Sequence, residues 1–251
     1  LEFRRVLFRS EASVSTISAA IQVKAKRFVY CTSMARYGNQ PHPFTEDMTP
    51  QPVDPYGVAK VAGEDVLKIL CETHGMEWNI AVPHNIVGPR QKFDDPFRNV
   101  MSIMINRNLR GLPAIVYGDG QQTRCFSYVD DCVGCLEKMA LDPKITSQTI
   151  NIGPDTGTVT IKELSKLVAE ATGFKGDAIH MPDRPREVKH ADCSADKARW
   201  LLGYETKTTL EQSIQETVEY IKAKGPKEFD YAYPLEIITE KTPKTWSERL
   251  M

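Results

Sequence analysis

Residues 27–33 read RFVYCTS, and after a loop rich in Pro, Gly and Asn, residues 54–83 read DPYGVAKVAGEDVLKILCETHGMEWNIAVP. The first stretch is a short β-prone run, Arg27-Phe28-Val29-Tyr30-Cys31, that stops at Thr32-Ser33. The second holds a long helix from Tyr56 to His74, opened by Pro55, and a strand at Trp78-Asn79-Ile80-Ala81-Val82-Pro83. Strand, helix, strand in that order is the unit of a parallel sheet with helices on its faces. Val58, Val61, Ala62, Val66, Ile69 and Leu70 are expected on the buried side of that helix.

The same rhythm extends in both directions. A helix is expected from Ser13 to Lys26. Downstream, Asn99 to Arg110 reads as a helix, Ala114 to Tyr117 as a strand and Gly118-Asp119-Gly120 as a turn. Phe126 to Val129 leads into a helix through Met139, with Asp130 placed to cap it. Thr149 to Ile152 is a strand, and Thr160 to Thr172 a helix with Thr160 and Glu163 in capping-box spacing. Helices follow at Ser194–Leu202 and Leu210–Lys224, and the Pro-bearing tail from Gly225 is expected to wrap the surface. The opening LEFRRVLFRS carries three arginines among apolar residues and reads as a non-native linker (1–10) joined to a truncated reading frame.

The chain has 251 residues, 32 basic and 33 acidic, for a formal charge of −1. That balance argues against nucleic-acid and membrane-surface partners, which call for a basic excess. Hydrophobic residues make up 41% and charged residues 26%, the profile of a folded domain. No apolar run approaches the roughly 18–20 residues of a membrane span. The six cysteines, Cys31, Cys71, Cys125, Cys132, Cys135 and Cys193, are scattered and read as reduced, buried thiols of a cytoplasmic protein. Cys132 and Cys135 form a lone CxxC with no second pair, so helix packing outranks zinc. Asp130 and Asp131 likewise read as a helix start, and no metal is expected.

The chemistry-bearing feature is Tyr56-Gly57-Val58-Ala59-Lys60. Residues four apart on a helix share a face, so the phenol and the ammonium meet. A cation beside a phenol favours the phenolate, which makes Tyr56 a candidate general acid/base. Ser33, at the strand end, is placed to hydrogen-bond the reacting oxygen. A Tyr-Lys pair at this spacing also arises by packing alone.

Further landmarks are Tyr37-Gly38, NIVGPRQ (85–91), YGDGQQTRCFSYVDD (117–131), INIGP (150–154), MPDRPREV (181–188) and LLGY (201–204). In this order, and with RFVYCTS and DPYGVAK, they resemble the extended short-chain dehydrogenase/reductase family, specifically its nucleotide-sugar epimerases, from about Lys26 to Tyr220. The resemblance implies an α/β fold: a Rossmann-like doubly wound parallel sheet, incomplete in its N-terminal half, with a smaller α/β substrate-binding domain. Residues 11–92 would be the C-terminal part of the NAD-binding domain. Residues 93–251 would mainly bind the nucleotide sugar, with a segment near 125–152 returning to the first domain.

The resemblance further implies bound NAD, a UDP-sugar substrate and a homodimer. In such enzymes a base takes the proton of the sugar C4 hydroxyl while C4 passes hydride to NAD⁺, and hydride returns to the other face of the 4-keto sugar. Carried over by position, Ser33, Tyr56 and Lys60 are catalytic, and Tyr56, Lys60 and Pro83 bind the cofactor. Asn85, Asn99, Arg124 and Arg184 would grip the diphosphate and Tyr117 the uracil. Arginine suits a phosphate because its planar fork donates two hydrogen bonds. Bland alternatives stand beside these roles: a solvated loop charge for Arg124, a surface ion-pair cluster for Arg184, a turn cap for Asn85. His84 reads as structural.

Met34-Ala35 stand where similar 4,6-dehydratases carry Asp-Glu and UDP-glucuronate decarboxylases a Glu, which favours epimerisation over those two alternatives. Val82 stands where many relatives have arginine, and Arg186-Glu187 replace a Gly-Asp pair, so a less common hexose or an N-acetylated one is expected. A non-catalytic NAD-sensing scaffold is a further alternative, disfavoured because Tyr56 and Lys60 are both present. None of the 15 glycines forms the GxGxxG or GxxGxxG turn that receives a dinucleotide pyrophosphate. The 251-residue chain is therefore expected to bind NAD poorly and to be inactive, its full-length parent being the enzyme.

Overall fold

Helix and strand alternate along the chain as α1 (Phe3–Gln22), β1 (Arg27–Cys31), a 3-10 turn (Met34–Arg36), α2 (Pro55–His74), β2 (Glu77–Pro83) and β3 (Ile86–Val87). There follow α3 (Val100–Leu109), β4 (Ile115–Tyr117), β5 (Thr123–Arg124), β6 (Ser127–Tyr128), α4 (Val129–Leu141), β7 (Gln148–Ile152) and β8 (Val159–Thr160). The last are α5 (Ile161–Thr172), β9 (Ile179–Met181), β10 (His190–Ala191), α6 (Asp196–Leu202), α7 (Leu210–Lys224) and α8 (Lys244–Ser247). The computed structural model describes residues 3–184, 187–231, 235 and 237–251, with side chains from residue 10 onward.

The main sheet runs β1-β2-β7, all parallel, with Tyr30 opposite Ile80 and Ala81 opposite Ile150. Successive residues of a strand face opposite sides, and β2 shows it. Ile80 and Val82 join Ile17, Leu67 and Cys71 beneath α1 and α2, whereas Ala81 joins Cys132, Cys135, Met139 and Leu202 beneath α4 and α6. Helices thus cover both faces, the doubly wound α/β arrangement expected. A separate core of Met101, Met104, Ile105, Val116, Leu164, Val168, Ile214 and Val218 binds α3, α5 and α7 to β4. Among the described residues no helix is long and apolar enough to cross a membrane.

Several expectations need correction. α1 begins at Phe3, earlier than the expected helix start at Ser13; Leu1 and Glu2 lie outside the described residues. It stops at Gln22 rather than Lys26, because Lys24 takes a left-handed conformation (φ 56°). The buried face of α2 is Gly57, Ala59, Gly63, Glu64, Leu67 and Cys71, while Val58 and Ile69 are 54% and 62% exposed. Small residues win there because the helix presses closely on the sheet and the Ser33 turn. Asp130 does not cap α4: Tyr128 is its N-cap, and Asp130 lies inside the first turn, where its charge suits the helix dipole. Asp131 instead accepts from the backbone N–H of Lys207 and Thr208, both at 3.1 Å. Cys31, expected buried, is exposed at the open end of edge strand β1, and the other five thiols are buried. The tail does wrap the molecule: Asn106 pairs both ways with the Lys227 backbone, and Arg107 donates to the Leu250 carbonyl at 2.8 Å.

Candidate active site

Parallel strands bring their carboxyl ends to one edge, where α/β sheets bind ligands. β1 ends at Cys31, Thr32 hydrogen-bonds to the Ala81 carbonyl at 2.9 Å, and the chain then breaks into the 3-10 turn. Ser33 is the N-cap of that turn, its Oγ accepting from the Ala35 N–H at 3.2 Å. Asp54 caps α2 through the Gly57 N–H at 2.6 Å, with Pro55 in the first turn. Gly57 is required at this crossing, since a Cβ there would meet the Ala35 carbonyl oxygen at 2.7 Å. The first turn of α2 therefore lies directly against the turn that carries Ser33.

Lys60 points back to the same place. Its Nζ donates to the Cys31 carbonyl at 2.7 Å, 6.0 Å from the centre of the Tyr56 ring and 5.2 Å from that of Tyr30. Tyr56 is half-buried. Ser33, Tyr56 and Lys60 thus come together at the end of β1. Behind them sits a group the sequence reasoning missed. Glu64 is buried and forks onto Arg36, and it also accepts from Thr32. Its spacing was the available signal: Glu64 follows Lys60 by four residues on one helix face.

Pro83 closes β2 opposite Ile152. His84 next to it is buried, its Nε2 at 3.0 Å from the Ala191 carbonyl and its Nδ1 at 3.4 Å from Cys193 Sγ. Burial pushes its pKa down to about 4, so the imidazole is neutral and packs as a structural group. Asn85 takes a positive φ of 39° and donates to the Cys125 carbonyl at 2.9 Å, which ties the end of β2 to the residue after Arg124. Asn99 caps α3, its carboxamide oxygen accepting from the Met101 N–H at 3.0 Å.

Tyr117, Arg124 and Arg184 form a second cluster. The Arg184 guanidinium lies 4.7 Å from the Tyr117 ring centre and donates to Glu187 at 2.6 Å. Arg124 stands 3.7 Å from the same carboxylate, and also donates to the carbonyls of Thr123 and Val188, both at 2.7 Å. Burial, the largest cause, lowers the Arg124 pKa from its usual value, against the opposing pull of Glu187. Burial likewise raises the Tyr117 phenol, whose hydroxyl pairs with Thr245. Among the described residues, Arg184 Nε and Glu187 Oε2 are buried with no hydrogen-bond partner. Glu187 was read only as a departure from a pattern, yet it organises both arginines. Arg186 lies outside the described residues. A cavity of about 660 Å³ lined by Thr158, Lys166 and Thr209 contains none of these groups.

Residues 9–153 match the model of the NAD dependent epimerase/dehydratase family. A UDP-glucose 4-epimerase of Mycolicibacterium smegmatis is 32% identical over 192 residues, which is 75% of this chain and 60% of the relative. A UDP-N-acetyl-alpha-D-glucosaminuronate decarboxylase of Bacillus cytotoxicus is 28% identical over 218 residues, 82% of this chain and 66% of the relative. The solved UDP-glucuronic acid 4-epimerase of Bacillus cereus, in complex with UDP-glucuronic acid and NAD, superposes with a TM-score of 0.79 at 26% identity, over 86% of this chain and 68% of that one. The chain thus spans less than two thirds of the length of these curated relatives. With more than half of its 251 residues matched, the chain belongs to the NAD dependent epimerase/dehydratase family.

Proposed function

We propose that the intact protein inverts C4 of a UDP-hexose with NAD as cofactor. The observation that carries this reading is the juxtaposition of Ser33, Tyr56 and Lys60 at the carboxyl end of β1, with Lys60 Nζ held 6.0 Å from the Tyr56 ring. Tyr56 takes the proton of the sugar C4 hydroxyl and later returns it. The Lys60 ammonium favours the phenolate, and Ser33 Oγ orients the C4 oxygen. Tyr56 and Lys60, on α2 beside the end of β1, and Pro83, at the end of adjacent β2, fit the nicotinamide-ribose end of a dinucleotide. When bound, that cofactor supplies a reversible hydride acceptor.

The sheet half, residues 11–92 with the return near 125–152, serves the dinucleotide, and residues 93–251 mainly serve the nucleotide sugar. Arg124 and Arg184 take the diphosphate, held in line by Glu187, and a phosphate oxygen accepts from the Arg184 Nε–H that has no other partner among the described residues. Tyr117 takes the base, and Asn85 and Asn99 approach the phosphates with amide N–H groups. Epimerisation is favoured over elimination or decarboxylation because Met34 and Ala35 supply no acid. The carboxylates that α2 and its cap bring to this crossing, Glu64 and Asp54, are committed to Arg36 and to the Gly57 N–H.

The test offers the intact protein UDP-glucose, UDP-glucuronate and UDP-N-acetylglucosamine with NAD, and follows C4 by NMR. One substrate is expected to equilibrate with its C4 epimer, and Tyr56→Phe to slow this by roughly 10²–10⁴-fold, the usual worth of a positioned acid/base. Release of CO₂, a stable 4-keto product, or turnover indifferent to Tyr56→Phe would each overturn the reading.

A further inference from the structure

Glu64 stands two helical turns beyond Tyr56 on α2, 1% exposed, on the side of the helix that meets the sheet. Its Oε1 accepts from Thr32 Oγ1 at 2.5 Å and from Arg36 Nε at 3.1 Å, and its Oε2 lies 3.0 Å from Arg36 Nη2. Thr32 immediately precedes Ser33, and Arg36 ends the turn that follows it. One carboxylate therefore grips the Ser33 turn from both sides.

The grip continues into the sheet. Arg36 Nη1 donates to the Tyr37 hydroxyl at 3.1 Å, and that hydroxyl donates to Asn151 Oδ1 at 2.8 Å. Asn151, on β7, donates in turn from its side chain to the Phe44 carbonyl at 3.2 Å. Burial pushes the Tyr37 phenol up to about 12, so it stays a neutral link in this chain. α2, the turn and β7 are thereby joined by one buried hydrogen-bond network.

A buried ion pair is a poor route to stability, because well-packed apolar residues of similar volume often serve as well or better. What the pair gives is geometry. A planar guanidinium fork meets a carboxylate in one relative arrangement, so α2 cannot slide or roll against the turn without breaking both contacts. At the other end of the crossing, Gly57 leaves no room for a side chain, since a Cβ there would lie 2.7 Å from the Ala35 carbonyl oxygen. Two contact points fix the spacing between Ser33 on the turn and Tyr56 and Lys60 on the helix.

We infer that Glu64 is a positioning residue: acting through Thr32 and Arg36, it holds Ser33 in register with Tyr56 and Lys60. The inference rests on the reading that these three residues carry the proton transfer. It extends that reading to a residue that touches neither substrate nor cofactor.

The test compares Glu64→Gln with the double variant Glu64→Met, Arg36→Met in the intact protein. The double variant removes the charges as a pair and keeps the volume. It is expected to melt like the wild type and to hold KM for the UDP-sugar within about threefold, while kcat falls roughly 100-fold, the scale of a 1 Å misplacement. Glu64→Gln, which keeps the Thr32 contact and part of the Arg36 contact, is expected to recover a good part of that loss. A folded double variant with wild-type kcat overturns the inference. A second arm needs no turnover. In Glu64→Gln, hydrogen exchange at the Ala35 amide, capped by Ser33, is expected to quicken about tenfold while Leu67 and Cys71 in α2 keep their protection. Unchanged exchange at Ala35 also overturns it. A wild-type protein without turnover would overturn the functional reading instead, and the exchange arm would still decide whether Glu64 holds the turn.

Discussion

His84 sits one residue past β2, fully enclosed, with its ring nitrogens given to the Ala191 carbonyl and Cys193. In the unfolded chain its pKa is near 6.5; burial lowers the folded value to about 4. The unfolded state therefore binds the proton first on acidification, so the stability present above pH 6.5 is lost as pH falls toward 4. That gap corresponds to about 3 kcal/mol for one group. Urea denaturation of the wild type across this range is expected to show the loss, and His84→Gln to lack that share of it. At the same scale, the YxxxK pair and Ser33 were legible because their spacing along the chain is their spacing in space. Glu64 shares a helix face with Lys60 and Glu187 follows Arg184 by three residues, but their full roles come from arginines that the fold delivers: Arg36 across the helix–turn crossing, Arg124 from β5.

α2 shows how far a helix can be read from apolar periodicity. Its start was legible from Pro55, and the structure adds the Asp54 cap there and Gly75, in a left-handed conformation (φ 69°), at the other end. Its buried face was not. A helix that must lie close to a turn and a strand buries what is small, and Gly57, Ala59 and Gly63 carry little hydrophobic signal. Two glycines test this contrast. Gly57→Ala drives a methyl into the Ala35 carbonyl at 2.7 Å, a backbone atom that cannot swing aside. It is expected to cost about 1–3 kcal/mol, as overpacking does, and to lower turnover with it. Gly134 in α4 meets nothing within 4 Å, so Gly134→Ala is expected to stabilise by about 0.5–1 kcal/mol through helix propensity alone. Chemical denaturation of the two variants side by side measures both signs.

Over the whole molecule, the alternation of strands and helices was legible, and with it the sheet and its two covered faces. The path of the tail was not, because its contacts are single polar bonds to distant elements rather than a periodic apolar stripe. Thr245, fully buried in α8, meets the Tyr117 hydroxyl, and Trp246 packs on Phe97 with ring centres 5.3 Å apart. The end of the chain is thus part of the wall around Tyr117. Thr245→Val keeps the shape and leaves a buried phenol hydroxyl unpaired, which is expected to cost roughly 1–2 kcal/mol and to weaken UDP binding, both measurable by denaturation and calorimetry.

Cys31 lies on β1, an outer strand of the β1-β2-β7 sheet. Cys31 is exposed while the other five cysteines are buried, its carbonyl is the acceptor for Lys60, and burial of the sulfur raises the thiol pKa against the opposing pull of Lys60. Of the six cysteines, the one within reach of a thiol reagent in the folded protein is therefore a weakly acidic one, which calls for mildly alkaline labelling, and a dye there would sit one residue before Thr32 without any engineered cysteine.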